Sequence, residues 1–305
     1  MKAIIQENYD GIHGLVIRDI PDPAKGPLSA IIETKYTPVL PYDILTEERK
    51  LKGMRPTKLP MVIGYGFGGR VKEVGGLRNS RLIGQKVIGV NFSGSNSEWI
   101  NATIPPLLFK VPDQVSIADA TTIIGGADAA LYASNQIKVT AQDTVLITGA
   151  AGGVGTYLIQ LLVNEGAVVI AVGHSSNHQF LTDIGAKYVI NYDEPFAPQL
   201  MRVPIVDKVI DTVGSKTLLD GLSDYYEGLT IFSLSLTDYR PMKLNQSFSF
   251  GNGGIGLSGY HQLLLELASG RLKAYVHSQF DFNEVIEAQQ MLKDTHVQGR
   301  VLLNY

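Results

Sequence analysis

The middle of the chain alternates short apolar runs with amphipathic stretches. Residues 144–148, 167–172, 208–211 and 228–234 are mostly apolar runs of strand length, the pattern of parallel strands covered on both faces. Residues 154–165, 177–184 and 216–225 carry apolar side chains at helical spacing between them, and 188–191 adds a shorter strand. Upstream, 117–138 predicts one helix. This rhythm predicts a doubly wound α/β domain. The first third differs: 28–35, 71–74 and 86–90 read as strands punctuated by Gly and Pro. The tail predicts a helix (260–268), a strand (274–279), a second helix (282–293) and a last strand (300–304). A β-rich domain of residues 1–115 with 250–305 is therefore expected to be interrupted by a doubly wound domain at 116–249. Such an insertion predicts a ligand cleft between the two.

Composition narrows the function. A chain of 305 residues suits two domains, and 45% hydrophobic against 18% charged residues supports a sizeable core. The net charge is −3 with Lys and Arg scattered, so neither nucleic acid nor an anionic membrane is an expected partner. No apolar run approaches the roughly 20 residues of a membrane span. The start, Met1-Lys2-Ala3-Ile4-Ile5-Gln6-Glu7, turns polar too early for a signal peptide. A soluble, cytoplasmic protein acting on a small molecule is expected. The absence of cysteine excludes disulfides, a thiolate nucleophile and Cys-containing zinc sites. His13, His174, His178, His261, His277 and His296 show no metal-ligand spacing, so no metal is expected.

The sharpest motif is Thr148-Gly149-Ala150-Ala151-Gly152-Gly153-Val154-Gly155, set between a predicted strand and a predicted helix. Small residues there let a pyrophosphate approach unpaired N–H groups at the positive end of the helix dipole. Ala151, Gly152, Gly153 and Val154 are the expected phosphate contacts. About 20 residues later, where NAD-specific sites place an acid on the ribose, the chain reads Gly173-His174-Ser175-Ser176-Asn177. With no acid in that run and polar side chains able to receive a 2′-phosphate, NADPH is the expected cofactor.

With these motifs in place, nearly the whole chain resembles the quinone oxidoreductase (zeta-crystallin-like) branch of the medium-chain dehydrogenase/reductase superfamily. The turn 150–155 matches that family's phosphate loop. Leu59-Pro60, Gly64 and the stretch 69–75 resemble its N-terminal region, and Gly299-Arg300-Val301-Leu302 its closing strand. Asp207 and Asp211-Thr212-Val213-Gly214 resemble its fourth Rossmann strand, where Thr212, Val213 and Gly214 would flank the cofactor. The resemblance implies a Rossmann domain inserted into a GroES-like catalytic domain. It also implies a 2′-phosphate near Gly173 and Tyr192, beside the Ser175 and Ser176 hydroxyls read above, and a homodimer joined through an edge strand near 246–250.

The departures are informative. The three catalytic zinc ligands of related alcohol dehydrogenases correspond to Leu40, Tyr65 and Gly125, and the Glu beside the metal-binding His to Gly66. The branch's usual Asn is Leu40 here, its usual Thr is Ala129, and a Lys often found on the 2′-phosphate is Asn177.

Without a metal, a simple ketone lacks a Lewis acid for its developing alkoxide. A quinone or α,β-unsaturated carbonyl delocalises that charge, so hydride transfer from NADPH to such an electrophile is the expected reaction. Tyr42 and Tyr65 are the expected donors to the substrate oxygen. Enoyl or alkenal reduction, and NADPH binding without turnover, remain the alternatives.

Overall fold

Apolar runs become strands where both of their faces can be buried. The computed structural model describes residues 1–53, 57–103 and 107–305. The chain divides into two units: Met1–Gly125 with Tyr260–Gly270 and Val276–Tyr305, and Gly126–Gly259 with Arg271–Tyr275.

The first unit opens with β1 (Lys2–Gln6), β2 (Leu15–Asp19), β3 (Ala30–Pro38), α1 (Pro41–Glu47), β4 (Met61–Val62) and β5 (Gly66–Val74). It continues through β6 (Lys86–Val90), β7 (Trp99–Ala102), β8 (Leu108–Lys110) and α2 (Ile117–Thr121). The second unit holds α3 (Asp128–Ile137), β9 (Thr144–Ile147), α4 (Gly155–Asn164), β10 (Val168–Gly173), α5 (His178–Asp183) and β11 (Tyr188–Asn191). After these come α6 (Phe196–Leu200), β12 (Lys208–Asp211), α7 (Lys216–Tyr225), β13 (Thr230–Ser233) and β14 (Ser247–Phe250). Helix α8 (Gly256–Ser269) follows, and β15 (Val276–Asp281), α9 (Val285–Asp294) and β16 (Arg300–Asn304) close the chain.

In the second unit six strands line up in the order β11-β10-β9-β12-β13-β14, every neighbouring pair parallel. Leu146, Ile170, Val209 and Ile231 are fully buried, packed in one cluster with Leu219 and Leu222 of α7. The chain runs outward from β9 in both directions, and the C-terminal end of β9 is the switch point where such folds open a crevice for ligands. Among the described residues β14 pairs only with β13.

In the first unit the closing strands return to the opening ones. The larger sheet runs β15-β16-β3-β5-β6-β8, with β7 also paired to β3, and β2-β1-β4 form a smaller one. Ala30, Ile32, Phe67, Val71, Val87 and Ile100 make one buried cluster. Ile4, Val39, Ile63, Val285, Val301 and Leu303 make another. The chain is thus α/β, with the doubly wound sheet its rhythm predicts.

One predicted element breaks in two. In place of a single helix over 117–138, α2 stops at Thr121, and Ile124 (ψ 119°) and Gly125 (φ +69°) leave helical conformation before α3 starts at Asp128. Glycine adopts a positive φ without steric cost, so the chain kinks there. Among the described residues, no helix is long and apolar enough to cross a membrane.

Candidate active site

The glycine-rich turn leaves β9 and runs into α4. A Cβ on Gly155 would lie 2.4 Å from the Gly149 oxygen and 2.5 Å from Ala150 Cα. Only glycine fits there, and it lets the helix begin directly beneath the loop. The Ala150 N–H donates to Val172 O at 3.1 Å, fastening the loop to β10. Gly152 faces open space, since a Cβ there would meet only Gly149 O at 3.4 Å. The leading N–H groups of a helix have no intrahelical acceptors and lie at the positive end of its dipole. A loop with room above Gly152 and a helix end below it therefore fits a pyrophosphate.

Asp211 braces this loop from beneath. Its carboxylate is fully buried. It accepts from the Thr148 hydroxyl (2.6 Å), the Ser233 hydroxyl (2.6 Å), the Val213 N–H (3.2 Å) and the Gly214 N–H (3.1 Å). Thr212 joins in through its N–H to Thr148 Oγ1 at 3.0 Å and its hydroxyl to Thr148 O at 2.8 Å. One carboxylate thus ties together the ends of β9, β12 and β13. The turn after β12 presents Val213, 56% exposed, beside the loop.

At the end of β10, Ser175–Asn177 form a single 3-10 turn. Gly173 pairs in register with Asn191 of β11, so Tyr192 and Asp193 emerge next to it. The Tyr192 N–H donates to Gly173 O at 3.0 Å, and its ring stands edge-on to His174 at 5.8 Å. Asp193 takes both donors of Ser175, the N–H at 2.8 Å and the hydroxyl at 2.6 Å. The Ser175 hydroxyl holds the Asp193 carboxyl below its ordinary value. His174 Nδ1 pairs with the Ser176 hydroxyl at 2.9 Å and accepts the Ser176 N–H at 3.2 Å. Its Nε2 lies 3.5 Å from Asp193. Asn177 is buried under the turn. Gly173, Ser175, Ser176 and Tyr192 are brought together at this end, and the loop residues Ala151, Gly152, Gly153 and Val154 stand with Thr212 and Val213 at the other.

Tyr42 and Tyr65 belong to the first unit. Their rings meet edge to face with centroids 6.0 Å apart, and both side chains are half-buried. A Cβ built on Gly125 would lie 2.9 Å from the Tyr65 hydroxyl and 2.9 Å from Leu40 Cδ2. Leu40, Tyr65 and Gly125 therefore converge on one point. Arg300, itself buried, donates to the Gly125 carbonyl and holds that kink in place.

Known proteins share this architecture. The model of the zinc-binding dehydrogenase family matches residues 184–303. The acryloyl-coenzyme A reductase of Metallosphaera sedula is 24% identical over 99% of both chains. The quinone oxidoreductase-like protein 2 of Bos taurus is 27% identical over 81% of this chain and 77% of its own. The solved quinone oxidoreductase of Coxiella burnetii superposes with a TM-score of 0.88 and 28% identity, covering 100% of this chain and 99% of that one. These similarities support a quinone oxidoreductase-like protein of the medium-chain dehydrogenase/reductase superfamily. The superfamily consists of nicotinamide-dependent oxidoreductases, and the glycine turn fits that cofactor's pyrophosphate.

Zinc, which the matched family's description names, finds a poor donor set in this oxidoreductase. Leu40 and Gly125 bring no metal-binding side-chain atom to the point where they meet Tyr65, and the leucine side chain fills part of it. Among the described residues no group of three or more His, Cys, Asp or Glu side chains could hold a metal. Two features of the oxidoreductase escape a reading of its sequence. The bracing role of Asp211 depends on contacts with residues 63 and 22 positions away. Asp193 reaches Ser175 from 18 residues downstream. The signal for it is its place next to Tyr192, once β11 is seen to lie beside β10.

Proposed function

We propose that this protein transfers a hydride from NADPH to a quinone or another conjugated carbonyl, without a metal. The observation that supports the reading is the convergence of Leu40, Tyr65 and Gly125, the three positions that the resemblance matches to zinc ligands, on a point lined by a phenol and an aliphatic side chain. Bound nicotinamide supplies the hydride. The chain's own work is to hold the pyrophosphate on the loop 149–155 and to stabilise the charge that the acceptor gains. A phenol O–H is a weaker electrophile than zinc, so it suits an acceptor that spreads the charge into an enolate or aromatic hydroquinone. Tyr65, with Tyr42 packed on it, donates to that oxygen. NADPH rests on the absence of an acid from the run 173–177.

A second acceptor class has its own support. A relative that spans 99% of both chains is named for acryloyl-coenzyme A, an α,β-unsaturated thioester. Reduction of an enone or enoyl thioester needs the same parts, with the oxygen stabilised as an enolate while hydride goes to the β-carbon.

Oxidation of NADPH, followed at 340 nm over a set of quinones, enones, enoyl thioesters and saturated aldehydes, separates these readings. Turnover of conjugated acceptors that is unaffected by chelator, with saturated aldehydes inert, is the expected result. Turnover confined to saturated aldehydes, or lost to chelation, overturns the proposal. Tight NADPH binding with no turnover of any acceptor would assign the chain to nucleotide binding alone.

A further inference from the structure

We infer that Asp193 sets the cofactor preference by competing with the 2′-phosphate for Ser175. The inference rests on the reading that a nicotinamide nucleotide lies on the loop 149–155 with its adenosine ribose at the end of β10. Ser175 and Ser176 each offer a backbone N–H and a hydroxyl there, and both groups of Ser176 are turned to His174 Nδ1. Both groups of Ser175 point at Asp193, at 2.8 and 2.6 Å. A phosphate needs donors of this kind and also needs negative charge kept away. Asp193 opposes it on both counts, since its oxygens already hold the two Ser175 hydrogens and its charge lies within hydrogen-bond reach of the same atoms.

His174 is a neighbouring group that could offset that charge. It turns its Nδ1 toward the Ser176 N–H, and its Nε2 is 3.5 Å from Asp193, beyond a normal hydrogen bond. Asn177, which replaces a lysine in the family pattern, is buried and uncharged. A bare ribose meets a different environment. Its 2′-hydroxyl can donate to a carboxylate, which is how NAD-specific sites use the acid at the end of their second strand. The acid that the run 173–177 lacks is therefore supplied from the neighbouring strand, β11. Asp193 narrows the preference for NADPH that the polar turn would otherwise confer and brings NADH within reach.

The test is the ratio of dissociation constants for NADH and NADPH, measured by fluorescence or calorimetry on the full-length protein with no acceptor present. Asp193→Asn removes the charge and keeps the shape. It should tighten NADPH by about tenfold, the scale of a single close like-charge contact at a protein surface, while leaving NADH unchanged or weaker. Adding Ser175→Ala to Asp193→Asn should remove most of that gain, because the freed hydroxyl is what receives the phosphate. A ratio that stays within about twofold of wild type, with both cofactors still bound, overturns the inference. So does a loss of affinity equal for both cofactors, which marks Asp193 as a brace of the turn. If wild-type protein binds neither cofactor, the nucleotide-site reading fails first, and that result is distinct from either of these.

Discussion

The Thr148 hydroxyl donates to the Asp211 carboxylate at 2.6 Å, and through that bond the end of β9 is tied to the end of β12. Both residues are fully buried, as is Ser233, so the two hydroxyls bonded to Asp211 have no water to turn to. Asp211→Ala leaves two hydroxyls and two N–H groups without their acceptor, and each buried unsatisfied group costs about 1–3 kcal/mol. A loss of at least about 3 kcal/mol is expected in urea denaturation, at the upper end for point substitutions. Thr148→Val removes one donor and keeps the shape, and should cost about 1–3 kcal/mol. Midpoints within error of wild type for both variants would show that the network does not hold the strand ends.

Gly152 and Gly155 separate binding from folding. A valine at Gly152 meets only ordinary contact with Gly149 O, at 3.4 Å, so the fold should tolerate it while the side chain fills the space meant for pyrophosphate. NADPH affinity should fall at least about tenfold, which requires about 1.4 kcal/mol. Alanine at Gly155 collides with backbone at 2.4 Å and should instead lower the melting temperature. A folded Gly152→Val protein that binds NADPH normally would move the phosphate elsewhere.

Much of this architecture is legible in the sequence because strand and helix periodicity is local. The apolar residues of 144–148 and the small residues of 149–155 are neighbours in the chain, and together they mark a strand–turn–helix suited to a phosphate without help from any long-range contact. Strands 86–90, 188–191, 208–211 and 300–304 and the helix 216–225 form over the same residues that the pattern predicts. The break at Gly125 is not legible, because the apolar residues of 117–138 keep helical spacing through a kink set by one positive φ and by the close approach of Leu40 and Tyr65. The pattern does not predict β1, β2, β7 and β8, and two of these are fixed by partners distant in sequence, β1 by β4 and β7 by β3. Asp193 and Asp211 act on residues distant in sequence, and only strand order brings them there. Their roles follow from the fold, whereas the glycine-rich turn follows from composition.

The exposed edge of β14 predicts a dimer. Among the described residues this strand pairs only with β13, and Ser247 and Ser249 face solvent while Phe248 and Phe250 are half-buried. An open edge is a template for a second strand, and twofold pairing of like edges closes it. Sedimentation at micromolar concentration should give twice the chain mass. The N–H groups of Ser247 and Gly251 donate toward β13, so by alternation that of Phe250 faces the open edge. Proline at Phe250 removes this edge donor and should shift the protein to monomer. A wild-type monomer under these conditions removes the dimer from the account.

Tyr65 and Tyr42 carry the last prediction, that a phenol serves as donor to the substrate oxygen. The Tyr65 hydroxyl stands beside Gly125 and Leu40, and Tyr42 packs edge-on against its ring at 6.0 Å. Each tyrosine has a plainer role open to it, as an aromatic wall that fills space and orients its partner. Phenylalanine distinguishes the two roles because it keeps the ring contact and deletes the hydroxyl alone. If Tyr65 donates as charge develops, Tyr65→Phe should lower kcat by about 10- to 1,000-fold, the range for oxyanion donors. KM for the acceptor should change far less. Tyr42→Phe should produce a loss of similar size if its hydroxyl donates directly, and a smaller one if it only positions Tyr65. NADPH affinity should stay within about twofold in both variants, since neither residue is part of the phosphate loop. The acceptor series adds a second measure. A lost donor should penalise a weakly conjugated enone more than a quinone, because the quinone's own aromatisation stabilises the charge, whereas a lost wall should penalise both alike. If the two single variants and the double variant all turn over the best acceptor at wild-type rate, the tyrosines are packing and the oxygen is held by another group.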